Sequence, residues 1–188
     1  MRHHLLLAAG LLLGTTPFVP QDAAAPRPAA SAPASRPADP KDVATPEALV
    51  AALYDVISGA AGHKRDWDRM RSLFRPDARL MPMVKGRDGA MRTVTITVED
   101  YVQRSGPMLE RDGFFEHEIA RRLERFGDFA HCWSTYESRR SKDDPTPFMR
   151  GINSIQLVRM QDRWWVQHIL WEQEHDAGPI PPQYLPAK

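Results

Sequence analysis

Residues 126–139 read FGDFAHCWSTYESR, a turn dipeptide set between two apolar-rich runs. Gly127-Asp128 separates two long runs, Phe114–Phe126 and Phe129–Arg140. Glycine in the first of two turn positions supplies the positive φ that a type II′ hairpin needs. The pattern repeats downstream, where Phe148–Met160 and Arg163–Glu174 flank Gln161-Asp162. Two pairs of runs, each joined by a tight turn, predict four long antiparallel strands.

Working back from the hairpins, the chain reads as helical. Thr45-Pro46-Glu47 is a helix start: a capping hydroxyl, proline at the first helical position and an acid in the first turn. Leu49, Val50, Leu53, Val56 and Ile57 follow at helical spacing, and Gly59 and Gly62 end the element. A second short helix is predicted from about Asp66 to Phe74, stopped by Arg75-Pro76-Asp77. Two short strands, Arg79–Lys85 and Met91–Thr97, precede a third helix from Glu99 to about Glu110, with Thr97 as its cap. Helices first and a long antiparallel sheet after them define an α+β architecture.

Three segments carry a family likeness: residues 126–139, Arg150–Leu157 and Arg163-Trp164-Trp165-Val166. With the element order, they resemble the nuclear transport factor 2-like superfamily, near its SnoaL-like, often exported bacterial branch. The resemblance spans about Thr45 to Glu174. It implies a cone-shaped roll, a curved antiparallel sheet wrapped around three helices, whose open end holds a ligand pocket. It also implies dimerisation through the outer face of the sheet. Ketosteroid isomerase-like members carry a catalytic Asp on the first strand after the second helix. Here that stretch is Arg79-Leu80-Met81-Pro82-Met83, without an acid, so that chemistry does not carry over. A shared fold does not fix an activity.

Uninterrupted two-residue hairpins sort the side chains by face, because directly opposed residues share one. Around Gln161-Asp162, Leu157 then opposes Val166, Ile155 opposes His168, Asn153 opposes Leu170 and Gly151 opposes Glu172. Around Gly127-Asp128, His117 and Arg121 fall with Cys132, Ser134 and Tyr136. Assigning this face to the helix side places His117, Arg121, Tyr136, Asn153, His168 and Glu172 inside the cone. His168 becomes a candidate general acid or base, steered by Glu172, since an imidazole titrates near neutrality. His117, Arg121, Tyr136 and Asn153 become candidate ligand contacts. The competing reading is a core histidine bonded to Tyr136 or a backbone carbonyl, with Glu172–Arg121 a rim ion pair. The opposite face would hold Trp133, Trp165, Ile169 and Trp171, too apolar for open solvent and suited to an isologous dimer interface. Coverage by the tether or the Pro-rich tail is the alternative. A one-residue slip inverts every assignment.

Twenty-five Lys and Arg against 24 Asp and Glu leave a net charge of +1, interleaved rather than clustered, which argues against nucleic acid as partner. Cys132 is the sole cysteine, which rules out an intrachain disulfide and reads as a buried thiol. The seven histidines show no metal-ligand spacing, and neither a metal nor a cofactor is expected. Arg2, the apolar run Leu5–Leu13, and Ala23-Ala24-Ala25 follow the order of a secretory signal. Residues 1–25 are therefore expected to be a signal peptide, 26–44 a disordered Pro/Ala-rich linker, 45–176 the folded domain, and 177–188 an irregular Pro-rich tail. A retained anchor is the alternative, although the apolar run is far shorter than a bilayer span. The mature protein would then be periplasmic or secreted, with no membrane contact. Three functions follow as expectations: a small-ligand binder, a cofactor-independent lyase, isomerase or hydrolase using His168, or a dimeric interaction module of the cell envelope.

Overall fold

The computed structural model describes residues 36–187. The expected signal peptide and most of the expected tether lie outside them. Asp39 caps a short helix α1 (Pro40–Val43), whose Val43 is buried and whose Asp42 is held by Arg69 at 2.7 Å. The end of the expected linker is thus part of the domain. Val43 adds apolar burial, and Arg69 supplies the charge partner that lets Asp42 leave water.

Helix α2 (Pro46–Ile57) begins as the sequence dictates, with Thr45 Oγ1 accepting from the Ala48 amide at 3.1 Å. Its buried face includes Leu49, Val50, Leu53, Tyr54 and Val56. Asp66 caps α3 (Trp67–Leu73), which contributes Met70 and Leu73 to the core. Helix α4 (Val98–Asp112) starts with a reciprocal capping box between Thr97 and Asp100, and Gly113 terminates it.

Six strands form one sheet: β1 (Phe74–Lys85), β2 (Met91–Thr93), β3 (Phe115–Phe126), β4 (Phe129–Arg139), β5 (Met149–Met160) and β6 (Arg163–Gln173). Their spatial order is β2-β1-β6-β5-β4-β3. The sheet is mixed where a wholly antiparallel one is expected, because β1 runs parallel to β6. After β1 and β2 the chain crosses through α4 to the far edge and meanders back over four strands. It therefore reaches β1 travelling in the same direction. Strand β1 also starts at Phe74, directly after α3, with an irregularity between Phe74 and Arg79.

Both hairpin turns lie where the sequence puts them. Gly127 has φ 56 in the first turn, while Gln161 and Asp162 have φ 54 and 59 in the second. The α2–α4 layer packs on one face of the sheet, joining Leu49, Val50 and Leu73 to Ile155, Leu157 and Val166, all fully or almost fully buried. Each such side chain contributes about 1.5–3 kcal/mol of transfer free energy. The chain after β6 turns through a short helix α5 (Glu174–Ala177) and returns across the outside of the sheet, where Thr135 Oγ1 donates to the Tyr184 carbonyl at 2.6 Å.

Two β-bulges decide what faces inward. In β3, Glu118 pairs with Tyr136 but Ala120 pairs with Thr135, so Ile119 is an extra residue. In β6, Val166 pairs with Leu157 but His168 pairs with Gln156, so Gln167 is extra. Each insertion shifts side-chain parity by one and bends the strand.

Candidate functional site

The bulges overturn half of the pocket drawn from uninterrupted hairpins. Beyond Gln167, Ile169 and Trp171 turn inward, and His168 and Glu172 turn outward. His168 shares the outer row of His131 and Gln156 and pairs with Arg79 on β1, and its Nδ1 is buried without a hydrogen-bond partner among the described residues. The imidazole therefore reaches neither Tyr136 nor the cavity. Beyond Ile119, His117 turns outward and its Nε2 lies 2.9 Å from Glu137 on an open groove beside the β3 edge. The same step turns Glu116 and Glu118 inward.

Arg121 does point inward, but it is spent on Glu118, with Nε 2.7 Å from the carboxylate. Tyr136 and Asn153 keep the position expected of them and line the cavity. Of the four residues grouped as a dimer surface, only Trp133 and Trp165 face outward. Trp133 packs against Tyr184 of the tail, with ring centroids 5.5 Å apart. Trp165 lies under the Arg163 guanidinium at 3.5 Å, with Arg75 at 5.9 Å. Ile169 and Trp171 are cavity lining.

The cavity encloses about 300 Å³ between the helices and the inner face of the sheet. Its wall is mostly apolar and aromatic: Phe74 from β1, Phe114 ahead of β3, Trp171 from β6, and three tyrosines. Tyr54 comes from α2, Tyr101 from α4 and Tyr136 from β4. Gly151 makes room for Tyr136, since a Cβ there would lie 2.6 Å from the phenol oxygen and 2.3 Å from the Glu172 carbonyl.

Among the described residues, Glu116 is the single carboxyl on this wall. Its hydrogen-bond partner is Ser138, whose Oγ donates at 2.8 Å. Burial pushes the Glu116 carboxyl up to about 7, opposed in part by the Ser138 hydroxyl. Burial, with the Glu116 charge added, also raises Tyr54, Tyr101 and Tyr136, so all three hydroxyls stay protonated. A carboxyl poised near neutrality in an aromatic pocket can donate, accept or carry charge.

A hydrogen-bonded chain leads from this pocket into the sheet. Asn153 Nδ2 donates to Tyr54 Oη at 3.0 Å, Tyr54 Oη lies 2.6 Å from Ser134 Oγ, and Ser134 donates to Glu118. The chain fixes the Tyr54 and Asn153 rotamers. Cys132 is buried nearby, with its thiol pushed up to about 12 by burial, which suits an inert thiol. The described residues hold no cluster of three or more His, Cys, Asp or Glu able to take a metal. Glu116 and Trp171 escape a reading that keeps strict alternation, while Tyr54 and Tyr101 come from helices that strand pairing does not reach. The signal for Trp171 lies in β6 itself: inward apolar residues at 164 and 166 resume at 169 and 171, a three-residue step that marks one inserted residue.

The fold is that of the nuclear transport factor 2-like class. A solved NTF2-like protein of unknown function from Pseudomonas putida KT2440 superposes with a TM-score of 0.51 at 12% identity, covering 76% of this chain and 89% of that one. A protein of unknown function with a cystatin-like fold from Nostoc punctiforme PCC 73102 gives 0.50 at 16% identity, covering 72% and 90%. At such identities the likeness concerns the fold alone. No family model and no curated protein matches the chain.

Proposed function

We propose that this protein binds a small, predominantly apolar organic molecule inside the cone, anchored by one polar group at Glu116. The observation that carries the reading is the aromatic cavity of about 300 Å³ with a single carboxyl on its wall. That size falls at the lower end of ligand pockets, and a few convergent polar groups on an apolar wall are their usual composition. The polar chain through Tyr54 and Asn153 holds the donors in place before any ligand arrives, which lowers the ordering cost of binding.

Export to the periplasm or beyond belongs to the same proposal, supported by the order Arg2, Leu5–Leu13, Ala23-Ala24-Ala25. So does self-association through the outer face, but around a different patch. Phe129, Val158 and Trp165 form one row there, with the Phe126 ring tilted against Phe129 at a centroid separation of 5.9 Å. Phe126 and Phe129 are 77% and 53% exposed, an apolar strip suited to a second copy of the chain. Sedimentation of the parent against Phe129→Asp tests it. A monomeric parent refutes the strip as an interface.

The binding reading is tested by native mass spectrometry of protein purified from its own source. A retained small molecule is expected, and Ser105→Trp, which pushes an indole into the cavity from α4, should abolish retention. A parent that carries nothing, and whose melting temperature no small apolar compound raises, overturns the proposal. A second reading assigns the carboxyl a general acid–base role in cofactor-independent catalysis, favoured by its midpoint near neutrality. In it Glu116 takes the part expected of His168, and turnover lost in Glu116→Gln but kept in His168→Ala is the result that supports it.

A further inference from the structure

We infer that the occupant of this cavity is a small organic amine, held as its ammonium ion between the Glu116 carboxylate and the surrounding aromatic faces. The inference rests on the binding reading above and adds the charge and class of the ligand.

A buried carboxylate is costly unless a cation accompanies it. Among the described residues no guanidinium, ammonium or imidazole is bonded to Glu116, whose partner is the neutral Ser138 hydroxyl. The groups facing it inside the cavity are phenols: Tyr54 from α2, Tyr101 from α4 and Tyr136 from β4. Neither β5 nor β6 brings a titratable side chain to the wall.

The cations nearby are occupied elsewhere. Arg140, at the cavity's edge, is exposed and stacks on Phe148 at 4.3 Å. Glu116 also borders the open groove, where Asp55, His63 and His117 stand beside Glu137, Arg139, Lys142 and Asp144. There Arg139 bonds to Glu137 and, at 3.0 Å, to the Asp144 carbonyl, while Lys142 stands 5.4 Å from the Phe115 ring. The counter-charge missing from the protein is the one a protonated amine would bring.

The rest of the wall suits the same guest. Aromatic faces attract cations, more strongly when desolvated, and here they arrive from several elements at once. An anionic ligand would meet the like charge of Glu116, and the one cation among the described lining residues, Arg140, lies at the edge with its guanidinium on Phe148. A neutral one would leave the carboxylate without a counterion and so favours the protonated acid.

Proton linkage separates these cases. An alkylamine stays protonated across the neutral range. It binds the ionised form of Glu116, so its affinity rises as that carboxyl loses its proton. Calorimetry with phenethylamine and its neutral counterpart phenethyl alcohol, at about pH 6 and about pH 8, reads the effect directly. The amine is expected to bind about tenfold tighter at the higher pH, and the alcohol not to tighten. Glu116→Gln should weaken the amine by about tenfold or more and spare the alcohol. If that variant does not fold, the pH pair on the parent protein decides alone. An alcohol that binds as tightly as the amine at the higher pH, or an amine whose affinity is flat with pH, overturns the amine assignment while leaving the cavity a binding site. Neither probe binding, with Ser105→Trp silent on retention, overturns both.

Discussion

The Ser138 hydroxyl donates to the Glu116 carboxyl across 2.8 Å, joining two neighbouring strands through the one acid on the cavity wall. Burial holds Glu116 at about 7, against an ordinary value of 4.5. The unfolded chain releases this proton at lower pH than the folded one does. Between about 4.5 and 7 the native state therefore binds more protons, and its stability falls as pH rises through that window. Allowing for partial solvent contact, the expected loss is about 2 kcal/mol. Glu116→Gln should flatten the profile in urea titrations across that window. Ser138→Ala removes a donor that favours the ionised form, so an NMR titration of Glu116 should show a higher midpoint. A midpoint that falls would contradict this placement of the hydroxyl.

Tyr54, Ser134 and Asn153 stand or fall together. Tyr54→Phe deletes the hydroxyl that joins Ser134 Oγ at 2.6 Å and Asn153 Nδ2 at 3.0 Å, and leaves two inward polar groups short of a partner. The cost should be about 1–3 kcal/mol in urea unfolding. Because those groups share one network, adding Asn153→Leu should recover part of the loss, a non-additive result. Strict additivity would mean that the three residues are not coupled.

How much of this was legible in the sequence depends on the element. Thr45-Pro46 and Thr97 announce helices α2 and α4, and both two-residue turns announce their hairpins. Those signals are local, so they survive folding unchanged. The face of each strand is not local. It depends on counting pairs outward from the turn, and neither bulge carries a glycine or proline to betray it. Ile119 and Gln167 each add one residue to the count, which sends His117, His168 and Glu172 outward and brings Glu116 and Trp171 in. Tyr136 and Asn153 lie on strands β4 and β5, which pair with each other without interruption, and their inward placement is read correctly. The parallel pairing of β1 with β6 depends on a crossover, which nothing within either strand encodes.

Arg65 is only 7% exposed, and its guanidinium meets backbone carbonyls where an acid would be usual. It donates to Ile57 at 3.0 Å, Gly59 at 2.6 Å and Leu109 at 3.1 Å, tying the end of α2 to the last turn of α4. Burial lowers its pKa, with Glu110 opposing. An ammonium cannot reach three divergent carbonyls at once, so Arg65→Lys should lose about 2–3 kcal/mol although the charge is kept. Differential scanning calorimetry provides the measurement. A variant that melts with the parent would show the guanidinium fork to be dispensable.

The β5–β6 turn carries avoidable strain. Gln161 and Asp162 both occupy left-handed backbone, with φ 54 and 59, and neither is glycine. This is the geometry of a type I′ turn, for which Asn-Gly is the preferred pair. A side chain with a Cβ is disfavoured there by about 1 kcal/mol, most of which glycine relieves at the second position. Both side chains are exposed, and the nearest charge to Asp162 is Arg159 at 3.9 Å, too distant to contribute much. The double change Gln161→Asn with Asp162→Gly should therefore raise stability by about 1 kcal/mol, seen as a higher urea midpoint at unchanged slope. Because the turn lies at the far end of the hairpin from Trp171, ligand affinity should not move. A lower midpoint would mean that these two residues do not turn the chain as described.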